Sequence, residues 1–272
     1  MGVDRSGLSA TWWAHASVKP GRWTQNAYYR GGMEGNRPLH APSDASDGPG
    51  GTRGRRSVPV FRDMTPEQFL ARCKIVCHIG PAGVWEHISK TGFRTAEQLI
   101  LDADLTEEER QLLLSTPRRE SVRLRVHGED VTLRDQSSLF TRKDPKSASD
   151  GGPDISDRIH LLNQRVYFFA DETPMQKFLD KAVAADGAQD VIWLSPFKVI
   201  QLEELRLELA SQNAGAIARR SGAQKTAEAF VPLFRFPDRK PTELTVFGGF
   251  DDLSAVFRAE RCFPDGSRSL LT

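Results

Sequence analysis

The feature that most constrains the fold is a stretch without any large apolar side chain, APSDASDGPGGTRGRR, at residues 41–56. Such a segment buries too little apolar surface to offset the conformational entropy that ordering it would cost. It lies within residues 1–60, which hold ten of the 22 glycines and five of the 16 prolines of the chain. The sequence therefore predicts a disordered Gly/Pro-rich tail at residues 1–60 and one folded domain at residues 61–272.

The distribution of charge also changes at about residue 60. The tail carries eight Lys/Arg against four Asp/Glu, although the whole chain has a formal net charge of only +1. That small net charge excludes a uniformly basic nucleic-acid coat protein. Several aromatic residues lie in the basic tail, which is typical of an arm that stacks on nucleic acid or docks on a partner; an upstream leader is the alternative. These residues are Trp12, Trp13, Trp23, Tyr28 and Tyr29.

The apolar runs and the cysteines of the sequence indicate the cellular compartment. No run approaches the roughly 18 apolar residues that a membrane-spanning helix needs, and no secretory signal follows the first charges. Three cysteines cannot all pair, which favours a reducing cytoplasm and no membrane partner. The only Cys/His cluster is Cys73, Cys77 and His78, and it lacks the second pair of ligands that a zinc site requires, so we expect no metal.

Short apolar runs separated by turn residues indicate the fold class of the domain. Thr65 with Gln68 and Thr106 with Glu109 have the spacing of capping boxes, and Gly92 is placed to end a helix. Runs of β-prone residues predict strands, whereas Asp251 is placed to cap a final helix through residue 257. The predicted strands cover residues 74–79, 122–126, 131–133, 166–170, 191–194, 203–209, 230–236 and 244–247. Many short strands, with the helices concentrated early, predict an α+β domain with a mixed or antiparallel sheet.

Polar residues at the ends of these strands are candidates for chemistry. His78 ends the first strand and is followed by Gly80, which would let a ligand approach the backbone; a structural histidine is the alternative. Arg134 follows a strand directly, where it could clamp a phosphate or form a surface salt bridge. Asn163 precedes the aromatic strand and could simply cap it. Glu243 begins an apolar strand and could equally belong to the solvent face of that strand.

The order of these segments resembles the DarT-type ADP-ribosyltransferases and, more closely, a related family of uncharacterised bacterial proteins. The resemblance runs from about residue 64 to the C-terminus. It rests on the Cys-His-Ile-Gly segment at 77–80, on Arg134, on the Val-Tyr-Phe-Phe strand at 166–169, and on Glu243 in Thr-Glu-Leu-Thr-Val. The second family adds Leu-Arg-Asp-Gln at 133–136, Leu-Asn-Gln-Arg at 162–165, and Asn-Ala-Gly at 213–215.

The resemblance implies an ADP-ribosyltransferase-like fold and NAD as substrate. In such a reaction the nicotinamide–ribose bond breaks through an oxocarbenium-like transition state, which a carboxylate stabilises. Glu243 would take this role and activate the acceptor, and Arg134 would orient the pyrophosphate or the acceptor. His78, Gly80 and Asn163 would bind the cofactor, and Tyr167 or Phe168 would stack on nicotinamide.

Two classes of function stay open from the sequence. The first is an NAD-dependent mono-ADP-ribosyltransferase, toxin-like, that modifies nucleic acid or protein. The second is a non-catalytic module on the same scaffold that binds a nucleotide or nucleic acid. Arginines around the first hairpin could form a basic patch for such a partner, or a solvated face. They are Arg118, Arg119, Arg123 and Arg125.

Overall fold

The computed structural model describes residues 64–136, 153–203, 206–212, 229–237 and 239–271. The predicted tail at 1–60 and the Asn-Ala-Gly motif at 213–215 lie outside the described residues. Within the described ranges, the helices are all too short or too polar to cross a membrane.

Helices and short strands alternate irregularly along the chain. The α-helices are α1 (Pro66–Arg72), α2 (Val84–Thr91), α3 (Ala96–Asp102), α4 (Glu107–Ser115), α5 (Pro153–Asn163), α6 (Glu172–Asp186) and α7 (Pro196–Glu203). The strands are β1 (Val76–Pro81), β2 (Val122–Val126), β3 (Glu129–Leu133), β4 (Arg165–Phe169), β5 (Gln189–Leu194), β6 (Leu207–Ala210), β7 (Val231–Pro232), β8 (Glu243–Phe247), β9 (Val256–Cys262) and β10 (Arg268–Leu270). The domain is therefore α+β, as predicted.

Local capping explains where several helices begin. The hydroxyls of Thr65, Thr95 and Thr106 each accept a hydrogen bond from the backbone N–H three residues later. The side chain of the glutamine or glutamate at that position accepts a hydrogen bond from the backbone N–H of the threonine. These are complete capping boxes. Helix α2 has no such side chain at its start; instead the fully buried Asp190 of β5 accepts hydrogen bonds from the backbone N–H of Gly83 and Trp85.

Eight strands form one sheet in the order β10-β9-β5-β1-β4-β8-β6-β7, with every pair antiparallel. Strand β1 pairs with β5 along its whole length, from Val76 to Pro81. With β4, on its other side, it shares only the pair Cys77 and Phe169. The sheet thus consists of two well-paired halves that meet at one short junction between β1 and β4.

The two faces of the sheet differ in character because successive side chains of a strand alternate between faces. We call the face that carries Phe168 and Leu244 the apolar face. It packs into the largest hydrophobic core, beneath α1 and α7. We call the face that carries Tyr167 and Glu243 the polar face. Its β1–β5 half packs against α6 through a smaller apolar cluster, whereas its β4–β8–β6 half carries buried polar side chains.

Two glycines allow a close crossing of backbone at the edge of the apolar core. Phe93 and Phe250 exchange backbone hydrogen bonds of 2.8 and 3.0 Å. Gly92 and Gly249 have φ of +79° and +67°, and a Cβ at Gly249 would meet the carbonyl oxygen of Phe93 at 2.2 Å. Only glycine fits both the left-handed backbone and the crossing.

Strands β2 and β3 form a separate hairpin. Its inner side chains pack with α3 into a satellite core that is distinct from the main one. The core consists of Leu99, Ile100, Ala103, Leu124, Val126, Val131 and Leu133. The hairpin expected from the predicted strands at 122–126 and 131–133 is confirmed.

The predictions for the C-terminal third were partly wrong. The expected final helix is a short 3-10 turn, Leu253–Ala255, capped by Asp252, after which the chain enters β9. The strand expected at 203–209 begins only at Leu207, because α7 extends to Glu203. The run at 230–236 contains strand only at Val231–Pro232 and then turns as a 3-10 helix. In each case strand pairing with distant segments, or a local turn, determines the secondary structure in place of the local pattern of apolar residues.

Candidate functional site

Buried polar side chains gather on the β4–β8–β6 half of the polar face and on the loops beside it. We call this set the polar cluster. Its buried members are Arg118, Gln136, Asn163, Arg165, Glu208, Glu243 and Thr245, and the half-buried Tyr167 completes it. Burying polar groups is costly unless they are paired, so a concentration of them on one face of a sheet marks a candidate site.

An ion pair anchors one side of the cluster. The guanidinium of Arg165 donates two hydrogen bonds to the carboxylate of Glu208, at 2.6 and 3.1 Å, and Thr245 adds a third donor. The guanidinium also lies over the rings of Phe230 and Phe247, at 4.6 and 5.4 Å from their centroids. Both charges are compensated, which identifies this pair as a structural element of the cluster.

Tyr167 lies at the middle of the cluster. Its hydroxyl donates a 3.0 Å hydrogen bond to the carbonyl of Leu162, at the end of α5. Burial raises the pKa of Tyr167; the carboxylates of Glu243 and Glu208 act in the same direction, whereas Arg165 and Arg118 oppose them. The phenol is therefore neutral, and its hydroxyl acts as a hydrogen-bond donor. Its aromatic ring lies beside the ring of Phe230.

Glu243 is the first residue of β8 and is sheltered, with 8% of its surface exposed. Its register partner Phe169 is two residues from Tyr167 on β4, on the same face of the sheet, and the register partner of Tyr167 is Thr245. The carboxylate thus belongs to the polar face and acts electrostatically on Tyr167. The alternative that Glu243 lies on a solvent face does not fit its burial.

Asn163 joins the cluster to two residues from distant loops. Its Oδ1 accepts 3.2 Å hydrogen bonds from Arg118 and from Gln136. Gln136 and Arg118 are also joined through their backbones, and the Nε of Arg118 donates to the carbonyl of Arg134. Asn163 therefore does more than cap β4: it connects α5 to the segments that flank the hairpin.

Arg134 lies at the edge of the cluster. Its guanidinium bonds to Gln189 and lies 3.4 Å from the carboxylate of Asp186 at the end of α6. It also lies over the ring of Phe178, 5.0 Å from the centroid. Burial lowers the pKa of Arg134, and the nearby carboxylates oppose that shift. Its side chain is 23% exposed, so part of the guanidinium still meets solvent.

His78 belongs to the other face of the sheet. Its ring makes edge contacts with Phe93 and Phe168, at 5.6 and 5.8 Å between centroids. Its Nδ1 donates a 2.9 Å hydrogen bond to the carbonyl of Tyr167, at the place where the backbone pairing of β1 and β4 has stopped. Because a carbonyl only accepts, the proton lies on Nδ1. Burial lowers the pKa of His78, so the ring is neutral near pH 7.

Phe168 and Gly80 also lie away from the polar cluster. Phe168 is fully enclosed in the apolar core, with Phe93 and Phe250 around it. A Cβ at Gly80 would lie 2.6 Å from the side chain of Val84, so this glycine allows α2 to pack closely on β1. The neighbours of both residues are other parts of the core.

The structure thus brings together some of the predicted residues and separates others. Glu243, Tyr167 and Asn163 share the polar cluster, with Arg134 at its edge. His78, Gly80 and Phe168 belong to the apolar face. Strand β4 lies between β1 and β8, so the strands that carry His78 and Glu243 run about 10 Å apart.

Sequence reasoning missed some members of the cluster. Glu208 and Thr245 alternate with leucine and valine, which reads as the polar side of a half-buried strand. Arg118 was grouped with a basic patch; Arg119, Arg123 and Arg125 are exposed, but Arg118 points inward and is buried. The sequence carries no local signal that distinguishes it from its neighbours.

Cys73 and Cys77 both lie in apolar surroundings. Cys73 packs in the main core and Cys77 in the cluster beneath α6, on opposite faces of the sheet. Burial raises the pKa of each thiol to about 12. His160 lies exposed on α5 beside Glu97. Both thiols are therefore unreactive core residues.

Fold and site together define an α+β protein with a divided antiparallel sheet and a buried polar cluster on one of its faces. The chain matches the family of unknown function DUF7002 over residues 74–255, which include all of the polar cluster. The chain belongs to that family. No curated protein and no solved structure matches it. The family match agrees with the expected relation to proteins of unknown function, and the resemblance to ADP-ribosyltransferases stays a prediction.

Proposed function

We propose that the protein is an NAD-dependent mono-ADP-ribosyltransferase with an ADP-ribosyltransferase-like fold, and that the polar cluster holds its active site. The observation that supports this proposal most is the position of Glu243: a sheltered carboxylate that acts electrostatically on the neutral Tyr167, on a sheet face that also carries a buried arginine. Stabilising an oxocarbenium-like ribose requires a fixed negative charge in a site from which water is largely excluded.

Each member of the proposed site has a task that its surroundings permit. Glu243 stabilises the positive charge on the ribose and accepts the proton of the attacking group. Tyr167 offers a ring for nicotinamide and a hydroxyl that stays protonated. Arg134, partly exposed at the edge of the cluster, orients the pyrophosphate or the acceptor. The acceptor is a nucleic acid or a protein, and the setting is the cytoplasm.

A second candidate is a nucleotide-binding module without catalysis. It is favoured by the separation of His78 from Glu243: the residue expected to hold the cofactor and the residue expected to act on it project to opposite faces of the sheet. On this alternative, the polar cluster binds a nucleotide, and His78 serves only to close the junction between β1 and β4.

The two candidates differ in what happens to NAD. The purified full-length protein is incubated with NAD labelled on its adenylate portion, together with DNA, RNA or lysate protein, and both the labelled fraction and released nicotinamide are measured. Transfer of label to one of these acceptors supports the transferase. Binding of NAD with neither label transfer nor nicotinamide release supports the binding module and contradicts the transferase.

A further inference from the structure

Arg118 is an unusual member of the polar cluster because its guanidinium is buried and, among the described residues, hydrogen-bonds only to neutral oxygens. The residue is 8% exposed, and its side chain forms no ion pair with a carboxylate in the described part of the chain. Its Nε and Nη1 donate to neutral oxygens, the carbonyl of Arg134 and Oδ1 of Asn163. Its Nη2 makes no hydrogen bond to any described residue. Arg165, by contrast, is matched by the carboxylate of Glu208.

Asn163 presents a second unused donor at the same place. The orientation of its amide is fixed, because two donors, from Arg118 and Gln136, converge on Oδ1. Its Nδ2 is buried and has no acceptor among the described residues. Buried polar groups nearly always have a partner, so an unused amide donor beside an uncompensated guanidinium is an exception that calls for a ligand.

We propose that Arg118 and Asn163 form a binding site for a phosphate group. The unused donors are Nη2 of the arginine and Nδ2 of the asparagine, and a phosphate offers several acceptor oxygens and the negative charge that the guanidinium lacks. Burial lowers the pKa of Arg118 to about 10, and the charge of Asp135 opposes that shift. A bound oxyanion would supply the missing counter-charge at the guanidinium.

This site differs from the one expected from the sequence, which assigned phosphate contacts to Arg134. The charge of Arg134 already has the carboxylate of Asp186 and the amide of Gln189 beside it. The phosphate site does not depend on transferase chemistry: it holds equally for a nucleotide-binding module, and its test involves no turnover of NAD.

The test uses the full-length protein and the substitution Asn163→Asp. The aspartate keeps the shape of the side chain and the acceptor for Arg118 and Gln136, but replaces the unused donor with a negative charge beside Arg118. Thermal unfolding is measured in increasing inorganic phosphate and in sodium chloride of equal ionic strength. Gln201→Glu, on the exposed side of α7, is the matched control because it adds the same charge elsewhere.

We expect a saturable phosphate-dependent rise in Tm for the wild type and for Gln201→Glu. For Asn163→Asp we expect a higher Tm without phosphate, because Arg118 gains a counterion, and an affinity for phosphate at least ~10-fold weaker, because like charges repel. General salting-out stabilisation acts on all three proteins alike. An equal phosphate response in Asn163→Asp and the wild type overturns the proposal.

A calorimetric titration of the wild type keeps the proposal testable if Asn163→Asp does not fold. Inorganic phosphate is titrated first, and ADP is then titrated in its presence. Saturable 1:1 phosphate binding supports the site; displacement by ADP identifies a nucleotide as the source of the phosphate, whereas the absence of competition identifies free phosphate. If neither inorganic phosphate nor ADP binds, the site is excluded.

Discussion

The two faces of strand β4 differ in their surroundings: one packs into the apolar core, and the other carries polar and charged side chains. Phe168 and Tyr167 are neighbours in sequence, yet they face opposite sides of the sheet: Phe168 is fully buried and Tyr167 is half-buried. Phe168 packs in the main apolar core, in ring contact with Phe93, Phe250 and the edge of His78, and packing explains its position. Tyr167 has charges on several sides. Stability alone does not explain that arrangement, since apolar residues would fill the same space at lower cost.

The largest expected effect is on the free energy of unfolding, and it differs between substitutions at Phe168 and Tyr167. Phe168→Ala removes a fully buried ring and should lower the free energy of unfolding by about 3–5 kcal/mol. Tyr167→Phe removes only the hydroxyl that donates to Leu162 and should cost about 0.5–1.5 kcal/mol. Chemical denaturation of both variants measures the difference. Equal losses would mean that the two faces are not distinct in the way described.

A smaller effect tests whether the charges of the polar face are truly buried. Glu208→Gln leaves the guanidinium of Arg165 without its counterion and should cost about 3 kcal/mol. The matched control is Asp130→Asn in the exposed pair with Arg125 of the hairpin, where we expect less than about 1 kcal/mol. Similar costs for the two substitutions would indicate that water reaches the Arg165–Glu208 pair.

The smallest effect concerns pH and the apolar face. Burial lowers the pKa of His78 in the folded protein, and Arg134 adds to the shift. A histidine with a lowered pKa contributes its full stability above the unfolded pKa of about 6.5, and this contribution is lost as the pH falls below that value. His87 acts in the same direction. His78→Gln should therefore reduce the slope of stability against pH between about 6.5 and 5, as measured by denaturation at several pH values. An unchanged slope would contradict the buried position of the ring.

Local features of the fold were predictable because the residues that cause them are adjacent in sequence. The capping boxes at Thr65 and Thr106 and the C-cap at Gly92 are confirmed in the structure. The aromatic strand was found from its β-branched and aromatic content. Strand β9 was missed, since Val256 and Phe257 followed a capping aspartate and read as helical. Its pairing with β5, more than sixty residues away, fixes it as a strand.

The site was harder to predict because it is formed by residues that are far apart in the sequence. Glu243, Tyr167 and Asn163 were identified from strand ends and an expected family relation, and the structure does bring them together. Whether a side chain belongs to one face or the other depends on strand register, and a shift of one residue reverses it. The separation of His78 from Glu243 and the burial of Arg118 follow from contacts between segments far apart in the sequence.

The central claim is that Glu243 on the polar face carries the chemistry, and nicotinamide release from NAD tests it most directly. Glu243→Gln keeps the size of the side chain but removes the charge, so we expect release at least ~10²-fold slower than in the wild type, with little change in unfolding. Glu172→Gln, exposed in the first turn of α6, is the control and should match the wild type. A folded Glu243→Gln protein that releases nicotinamide at the wild-type rate would contradict the claim.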